Sequence, residues 1–380
     1  MKNQIIHLGL DVDDQAFHFC FINSLTGETT QGSCRPQARA LQKALATKVK
    51  DLSQIRACYE AGYLGFSLQR ELKSLGIACE VVASSLIPTL PGHRVKTDRL
   101  DSEKLALYYQ KELLTTVSAP TQEEEAVRDL IRTRRFFMQQ LADTKRYLLA
   151  LCRRHHLKYR ENSSSKKSHW TKMHRAWLKR KVEEVELPTL KTNLSFILLE
   201  VNRLELKIDF YNQEIEKLSE TSEYQGYVQA LRCFRGINTL TAMGIVSEIR
   251  EAKRFSHPQK LTSYAGLDVR EYSSGGKQNQ FSITKMGNSF LRTMVVESAQ
   301  FVTRRPQLSK DLIKRRQDAS PEEVEIADRC MQRLYKKATH LYYRSKPLNK
   351  VKVACAREFL SFIWESMRYV ENQKSLSFEK

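Results

Sequence analysis

Over the first hundred residues, apolar and polar positions alternate in short runs separated by helical spacings. "IIHLGLDV", "AFHFCFIN" and "TTQGSC" read as three short strands, joined by the turn formers Asp13-Asp14 and Thr26-Gly27. "QARALQKALATKVK" then has the spacing of a helix. "IRACYEA" is a fourth strand, "LGFSLQRELKSLG" a helix closing on Gly76, and "IACEVVA" a fifth strand. "TDRLDSEKLALYYQKEL" starts as a capped helix with Thr97 at the N-cap. The order βββαβαβα predicts a meander followed by crossover units that add parallel strands.

From about Thr121 the pattern becomes purely helical. Val127, Leu130, Phe137, Leu141, Leu148 and Leu151 fit a three-four spacing that Arg134 and Thr144 interrupt. Leu194, Ile197, Val201, Leu204, Ile208, Tyr211, Ile215 and Leu218 step alternately by 3 and 4, the a/d seam of a coiled coil. The two segments predict an antiparallel helical hairpin. Its tip is a basic insertion near residues 161–190, holding Trp170 and Trp177, read either as a solvated loop or as a phosphate-tracking segment with aromatic stacking. From Tyr224 onward the chain reads as short helices and loops, closing on an amphipathic helix in "KPLNKVKVACAREFLSFIWESM". The fold class is therefore α/β plus α, in three parts: residues 1–120, 121–223 and 224–380.

Charge narrows the partners. The 380 residues carry 63 Lys plus Arg against 43 Asp plus Glu, a formal net charge of +20. An excess of that size favours a polyanion, because neutralised phosphates release counterions. The eight cysteines are scattered without a CxxC pair, which argues against a zinc site or a disulfide framework. No apolar stretch approaches the roughly 20 residues of a membrane span, and "MKNQIIHLGLDVDD" lacks a signal-peptide core, so a cytoplasmic protein is expected.

Four acids and one serine are the candidate chemistry. Asp11 ends the first strand and Glu60 the fourth, strands that are commonly neighbours in this order. Asp98 and Asp101 lie three apart at the start of a helix, on one face. Together these carboxylates would repel unless divalent Mg²⁺ or Mn²⁺ relieved them, and such ions serve phosphodiester displacement. Singly, each has a plainer use as turn former, surface residue or helix-terminus charge. "EYSSGGK", Glu271 to Lys277, is by itself a Ser-Gly turn.

"GLDVD", "CYEAGY" and "VKTDRLDSEKLA" resemble the Asp, Glu, Asp, Asp signature of the DEDD insertion-sequence transposases, a family that includes Piv-type DNA invertases and bridge-RNA-guided recombinases. "LTSYAGLDVREYSSGGKQNQFSITKMGNSFLR" resembles that family's transposase domain, and "LRCFRGINTLTAMGIVSEI" its helix-hairpin-helix element, with Asn238 at a glycine position where it would tolerate left-handed backbone. The resemblance implies an RNase H-like, RuvC-type first domain with Asp11, Glu60, Asp98 and Asp101 as metal ligands. It implies Ser274 as the nucleophile, with Ser273 as its neighbouring alternative, and makes Lys277, Lys285 and Arg292 candidate nucleic-acid contacts. It further implies double-stranded DNA as substrate, a structured bridge-type noncoding RNA as partner, a homo-oligomer (dimer or tetramer), and a prokaryotic, nucleoid-associated setting. Other departures are small: Asp13 could compete for metal, and Ser102 stands where alanine is common. The alternatives are a RuvC-like, metal-only junction nuclease, in which Ser274 is only a turn, and a non-catalytic nucleic-acid scaffold.

Overall fold

The computed structural model describes residues 5–88, 98–159, 168–274 and 277–378, with backbone alone at Asp98, Tyr272–Ser274, Lys277–Gln280 and Ser377–Phe378. The chain forms two compact units, residues 1–123 and 124–380. In the first, β1 (Ile6–Val12), β2 (Phe17–Asn23), β3 (Thr29–Cys34), β4 (Ile55–Glu60), β5 (Ala78–Val82) and the short β6 (Thr116–Val117) make one sheet in the order β3-β2-β1-β4-β5-β6. β1 to β3 form the expected antiparallel meander, and β4 and β5 add in parallel. The antiparallel β6 was not legible in the sequence, being only two residues long. This mixed sheet is consistent with the expected RNase H-like domain.

Alternation along the strands decides which helix covers which face. Leu8, Leu10, Phe19, Ala57 and Tyr59 point to a core completed by α1 (Ala38–Ala46) and α2 (Ser67–Ser74). The other face carries Cys20, Ile22, Cys58 and Val82, and α3 (Asp98–Gln110) covers it with Leu105 and Ala106. The closest approach is at Gly9, where an added Cβ would lie 2.2 Å from the Ser102 carbonyl oxygen and 2.4 Å from the Ala106 nitrogen. Only a residue without a side chain lets β1 and α3 meet backbone to backbone. The N-cap expected at Thr97 lies outside the described residues.

The second unit contains α4 (Gln122–Arg154), α5 (Lys172–Glu184) and α6 (Pro188–Ser219). Arg134 Nε donates to Asn212 Oδ1 at 2.5 Å, Phe137 meets the Tyr211 ring at 5.6 Å, and Lys145 pairs with Glu205 at 2.6 Å. Leu148 and Leu151 share a core cluster with Leu194 and Leu198. The partners run in opposite directions, so α4 and α6 form the expected antiparallel hairpin. The seam residues Leu194, Val201, Leu204, Ile208 and Ile215 are buried within the unit. Arg134 interrupts the apolar spacing by pairing with the polar Asn212 beside the seam residue Tyr211; Thr144 is satisfied by its own helix, donating to the Gln140 carbonyl at 2.8 Å. The reading of the insertion as a solvated loop is corrected for Lys172–Glu184, which are helical, with the Thr171 hydroxyl accepting from the His174 N–H.

The rest is helical apart from one hairpin: α7 (Gln225–Arg232), α8 (Thr239–Ile249), α9 (Pro258–Tyr264), β7 (Val269–Ser274), β8 (Lys277–Ile283), α10 (Ser289–Val302), α11 (Lys310–Arg315), α12 (Pro321–Tyr343) and α13 (Leu348–Phe378). The expected final amphipathic helix is present, and its apolar stripe, Val351, Cys355, Phe359, Ile363 and Met367, is fully buried. The expectation of left-handed backbone at Asn238 is also corrected. Asn238 is extended (φ −102°), because its side chain caps α8 by accepting from the Thr241 N–H at 2.8 Å. The left-handed position is Gly236 (φ 89°), where a Cβ would come within 2.7 Å of the Ser298 carbonyl oxygen. The eight cysteines are free thiols, and no helix among the described residues is long and apolar enough to cross a membrane.

Two predictions follow from this packing. Gly9→Ala forces β1 and α3 apart; overpacking of this kind costs about 1–3 kcal/mol, so amide exchange in β1 and α3 should accelerate, and unchanged protection would refute the close approach. The second concerns Glu358 on α13, which accepts from Arg333 at 2.5 Å and Lys337 at 2.8 Å on α12. Burial pushes its carboxyl up, but these two bonds outweigh burial and hold it below the ordinary 4.5. A depressed folded value means stability that is present above the unfolded value and is lost as pH falls through the folded one. Glu358→Gln should therefore lower the melting temperature at pH 7, with the deficit shrinking below about pH 4.5. A deficit that does not change with pH would sink this assignment.

Candidate active site

The first unit collects its acids at one end of the sheet. β1 and β4 are parallel neighbours, with Leu10 beside Tyr59, so Asp11 and Glu60 are the next residues on adjacent strands. Both lie on the α3 side, because Leu10 and Tyr59 point into the opposite core. They line one pocket of about 140 Å³, together with the loop residues Ala61 to Leu64. That loop is pinned: Tyr59 Oη donates to the Gly65 carbonyl at 2.9 Å and accepts from the Gln69 N–H at 3.3 Å, while the Ala61 N–H donates to Val82 at 2.9 Å.

The direction of α3 brings its first turn to the same end. His7 meets the Tyr109 ring edge-on at 5.7 Å, and Gly9 lies under Ser102 and Ala106. The helix thus runs against β1, and its start stands toward Asp11. Asp101 lies one turn before Leu105, the residue that packs on Cys58, just as Glu60 follows Cys58 by two. The side chain of Asp98 lies outside the described residues. Among those described, no group of three or more acidic, histidine or cysteine side chains is close enough to hold a metal ion. Two hard oxygen donors in one pocket do suit Mg²⁺, which is commonly held by one or two carboxylates, with waters and a substrate phosphate completing its shell. The pocket's donor chemistry therefore fits the ion.

Neighbouring groups are set by burial. Burial first, and the Arg56 cation second, lower the His7 pKa, and burial raises the Cys58 thiol well above its ordinary value. Neither lines the pocket of Asp11 and Glu60. Asp13, expected as a competitor, does not line the pocket; its Oδ1 accepts from the Gln15 N–H at 2.9 Å and shapes the β1–β2 turn. Ser102 is buried, and its hydroxyl donates to the Arg99 carbonyl at 3.0 Å.

The Ser-Gly stretch belongs to the second unit. β7 and β8 pair antiparallel with Ser274 opposite Lys277 and Ser273 opposite Gln278, so both serines sit at the far end of a hairpin. Gly275 and Gly276 lie outside the described residues. Lys285 and Arg292 follow the root of the hairpin: β8 spans seven residues, about 23 Å at ~3.3 Å per residue. The structure brings Lys277 to Ser274 and leaves the other two cations at the root. There Arg292 Nη1 donates to the Ala265 carbonyl at 2.8 Å, whereas Lys285 is exposed.

Sequence reasoning missed what holds that root. Gly266 (φ 66°) and Gly287 (φ 105°) are left-handed, and a Cβ on Gly287 would lie 2.4 Å from the Tyr264 carbonyl oxygen. Asn288 caps α10 by accepting from the Leu291 N–H at 2.9 Å, and its Nδ2 donates at 2.6 Å to Glu248, a fully buried acid. Arg132 Nε and Nη2 reach the same carboxylate at 2.8 and 2.9 Å. The available signal was a lone acid in the apolar run "MGIVSEI".

Comparison with known proteins gives this geometry its context. Residues 8–157 match the IS110-type DEDD transposase profile, and residues 228–314 match that of the transposase IS116/IS110/IS902 family. A putative transposase, y4qE, of Sinorhizobium fredii is 31% identical over 337 residues, covering 89% of this chain and 81% of the relative. The transposase for insertion sequence element IS1533 of Leptospira borgpetersenii is 28% identical over 358 residues, covering 92% and 100%. The transposase for IS1111A of Coxiella burnetii is 22% identical over 308 residues, covering 78% of each. With the acids on a mixed sheet and the Ser-Gly hairpin on a helical unit, the chain belongs to the DEDD insertion-sequence transposase family.

Proposed function

We propose that the protein cuts and rejoins the DNA of a mobile element with Ser274 as nucleophile, working with the acids of the first unit. The observation that carries this reading is the shared pocket of Asp11 and Glu60, which supplies hard oxygen ligands on the sheet end where the family signature falls. Asp11 and Glu60 would hold Mg²⁺ or Mn²⁺, with Asp98 and Asp101 completing the set; the ion supplies positive charge to the phosphodiester oxygens and lowers the pKa of a bound hydroxyl. The Ser274 hydroxyl gives up its proton and bonds to phosphorus while the bond to the 3′-oxygen breaks. That oxygen leaves as a 3′-hydroxyl, and the 5′-phosphate stays on the serine. Attack by the 3′-hydroxyl of another strand reverses these bonds, so the exchange conserves them without a high-energy cofactor. Lys277 is the register partner of Ser274 in the hairpin, and a cation there would suit the developing charge. Lys285 and Arg292 are proposed phosphate contacts nearer the root.

The remaining parts have proposed roles in three functional segments, residues 1–120, 121–223 and 224–380. The α4–α6 hairpin acts as a coiled-coil arm, and Leu231–Ile249 as a helix-hairpin-helix-like clasp on phosphate. The net charge of +20 supports a structured noncoding RNA as a second polyanionic partner. Phe196, Leu199, Leu206 and Phe210 leave an exposed apolar stripe on α6, at 67, 60, 72 and 59% exposure, which supports assembly into a homo-oligomer. The proposed setting is the cytoplasm of a prokaryotic cell, at the nucleoid.

The test mixes protein, Mg²⁺, labelled end-junction DNA and transcripts of the flanking noncoding region, and looks for a covalent adduct on a denaturing gel. The wild type should give a protease-sensitive adduct that Ser274→Ala and Asp11→Ala both abolish. Cleavage without adduct, undiminished in Ser274→Ala, would replace this mechanism with a metal-only nuclease.

A further inference from the structure

At the tip of the α4–α6 hairpin lies a pocket of about 380 Å³ that neither the acids nor the serine explains. Its floor is apolar, made by Leu149, Cys152 and Leu157. Its walls are aromatic. Tyr159 meets the Trp177 ring at 5.2 Å and the His174 ring at 4.7 Å, and His174 stacks on Trp177 at 5.7 Å with 20° between the planes. Its rim is cationic, with exposed Arg153 and Lys158, and none of its described lining residues is acidic.

The two tryptophans of the insertion have different uses. Trp170 is occupied within the fold: the Lys145 ammonium lies 4.9 Å and the Arg175 guanidinium 5.7 Å from its ring centre. Both cations are tied to Glu205, at 2.6 Å each. Trp177 instead turns part of its ring to the pocket beside Tyr159. Flat aromatic walls, an apolar floor and a cationic rim are what an unpaired nucleobase and its phosphate require. The volume falls within the range of small-ligand pockets, about 300–1,000 Å³.

We infer that the hairpin tip captures one unstacked nucleotide of a single strand, its base against Trp177 and Tyr159 and its phosphate at Arg153 and Lys158. This goes beyond the proposed recombination chemistry and rests only on a polynucleotide partner. Its readout is binding, so failure of strand transfer leaves it standing.

The experiment measures affinity of the full chain for short thymidine and uridine strands and for a base-free deoxyribose-phosphate strand of equal length. Base-bearing strands should bind about tenfold tighter than the abasic one. Whether the preference is larger for the DNA or the RNA arm identifies the source of the nucleotide. Trp177→Leu should bring the ratio near one with abasic affinity unchanged, and Trp177→Phe should retain most of it. A ratio near one in the wild type for both arms, or one undiminished in Trp177→Leu, overturns the inference. If Trp177→Leu does not fold, photo-crosslinking of a 5-iodouracil strand to the wild type decides. Adducts at Tyr159 or Trp177 support the pocket, and adducts only elsewhere refute it.

Discussion

The approach of α3 to β1 at Gly9 is the constraint on which the acidic site depends. A helix resting on a strand through side chains would stand farther off, at a height set by whichever side chain intervened. With no Cβ at Gly9, the Ser102 carbonyl and the Ala106 amide set that height directly. The direction of α3 is fixed by a second contact, His7 against Tyr109 at the far end. One glycine and one ring pair thus decide that the start of α3, with its two acids, stands over the end of the sheet that carries Asp11 and Glu60.

Adjacent parallel strands impose a cost that the site uses. Two carboxylates at equivalent positions on β1 and β4 repel, and the repulsion grows as water is excluded. Leaving Glu60 exposed and Asp11 only half-buried keeps that cost tolerable without a cation. In the proposed reaction a hard, divalent ion would remove that repulsion and gain both oxygens as ligands. Glu248 shows the opposite solution in the second unit. It is fully buried, and Arg132 and Asn288 satisfy its carboxylate, so it holds structure rather than inviting a ligand.

The sequence made the first unit legible because its strands have period two and its turns are built from short polar residues. The β1–β4 adjacency that joins Asp11 to Glu60 followed from element order alone. β6 was invisible because two residues carry no period. The hairpin seam was legible for the same reason as the strands, since a repeat held over several turns outweighs isolated interruptions such as Arg134. Asn238 misled because asparagine has two competing uses, left-handed backbone and N-capping, and a helix starting at Thr239 selects the second. The network on Glu248 joins residues 132, 248, 264 and 288, a separation along the chain that no local pattern encodes.

The Ser-Gly hairpin is anchored at its root, and its strands pair as far as Ser274 and Lys277. At the root, Gly266 and Gly287 allow two backbone segments to touch, and Asn288 ties the second segment to Glu248. At the tip, β-pairing holds Ser274 opposite Lys277. In the proposed reaction a serine needs such anchoring, because attack on phosphorus tolerates little positional error. On the proposed mechanism the hydroxyl becomes reactive only when the carboxylates of the first unit join it. The proposed reaction draws its acids from one compact unit and its serine from the other, so on that reading strand cleavage requires both to reach the same phosphodiester.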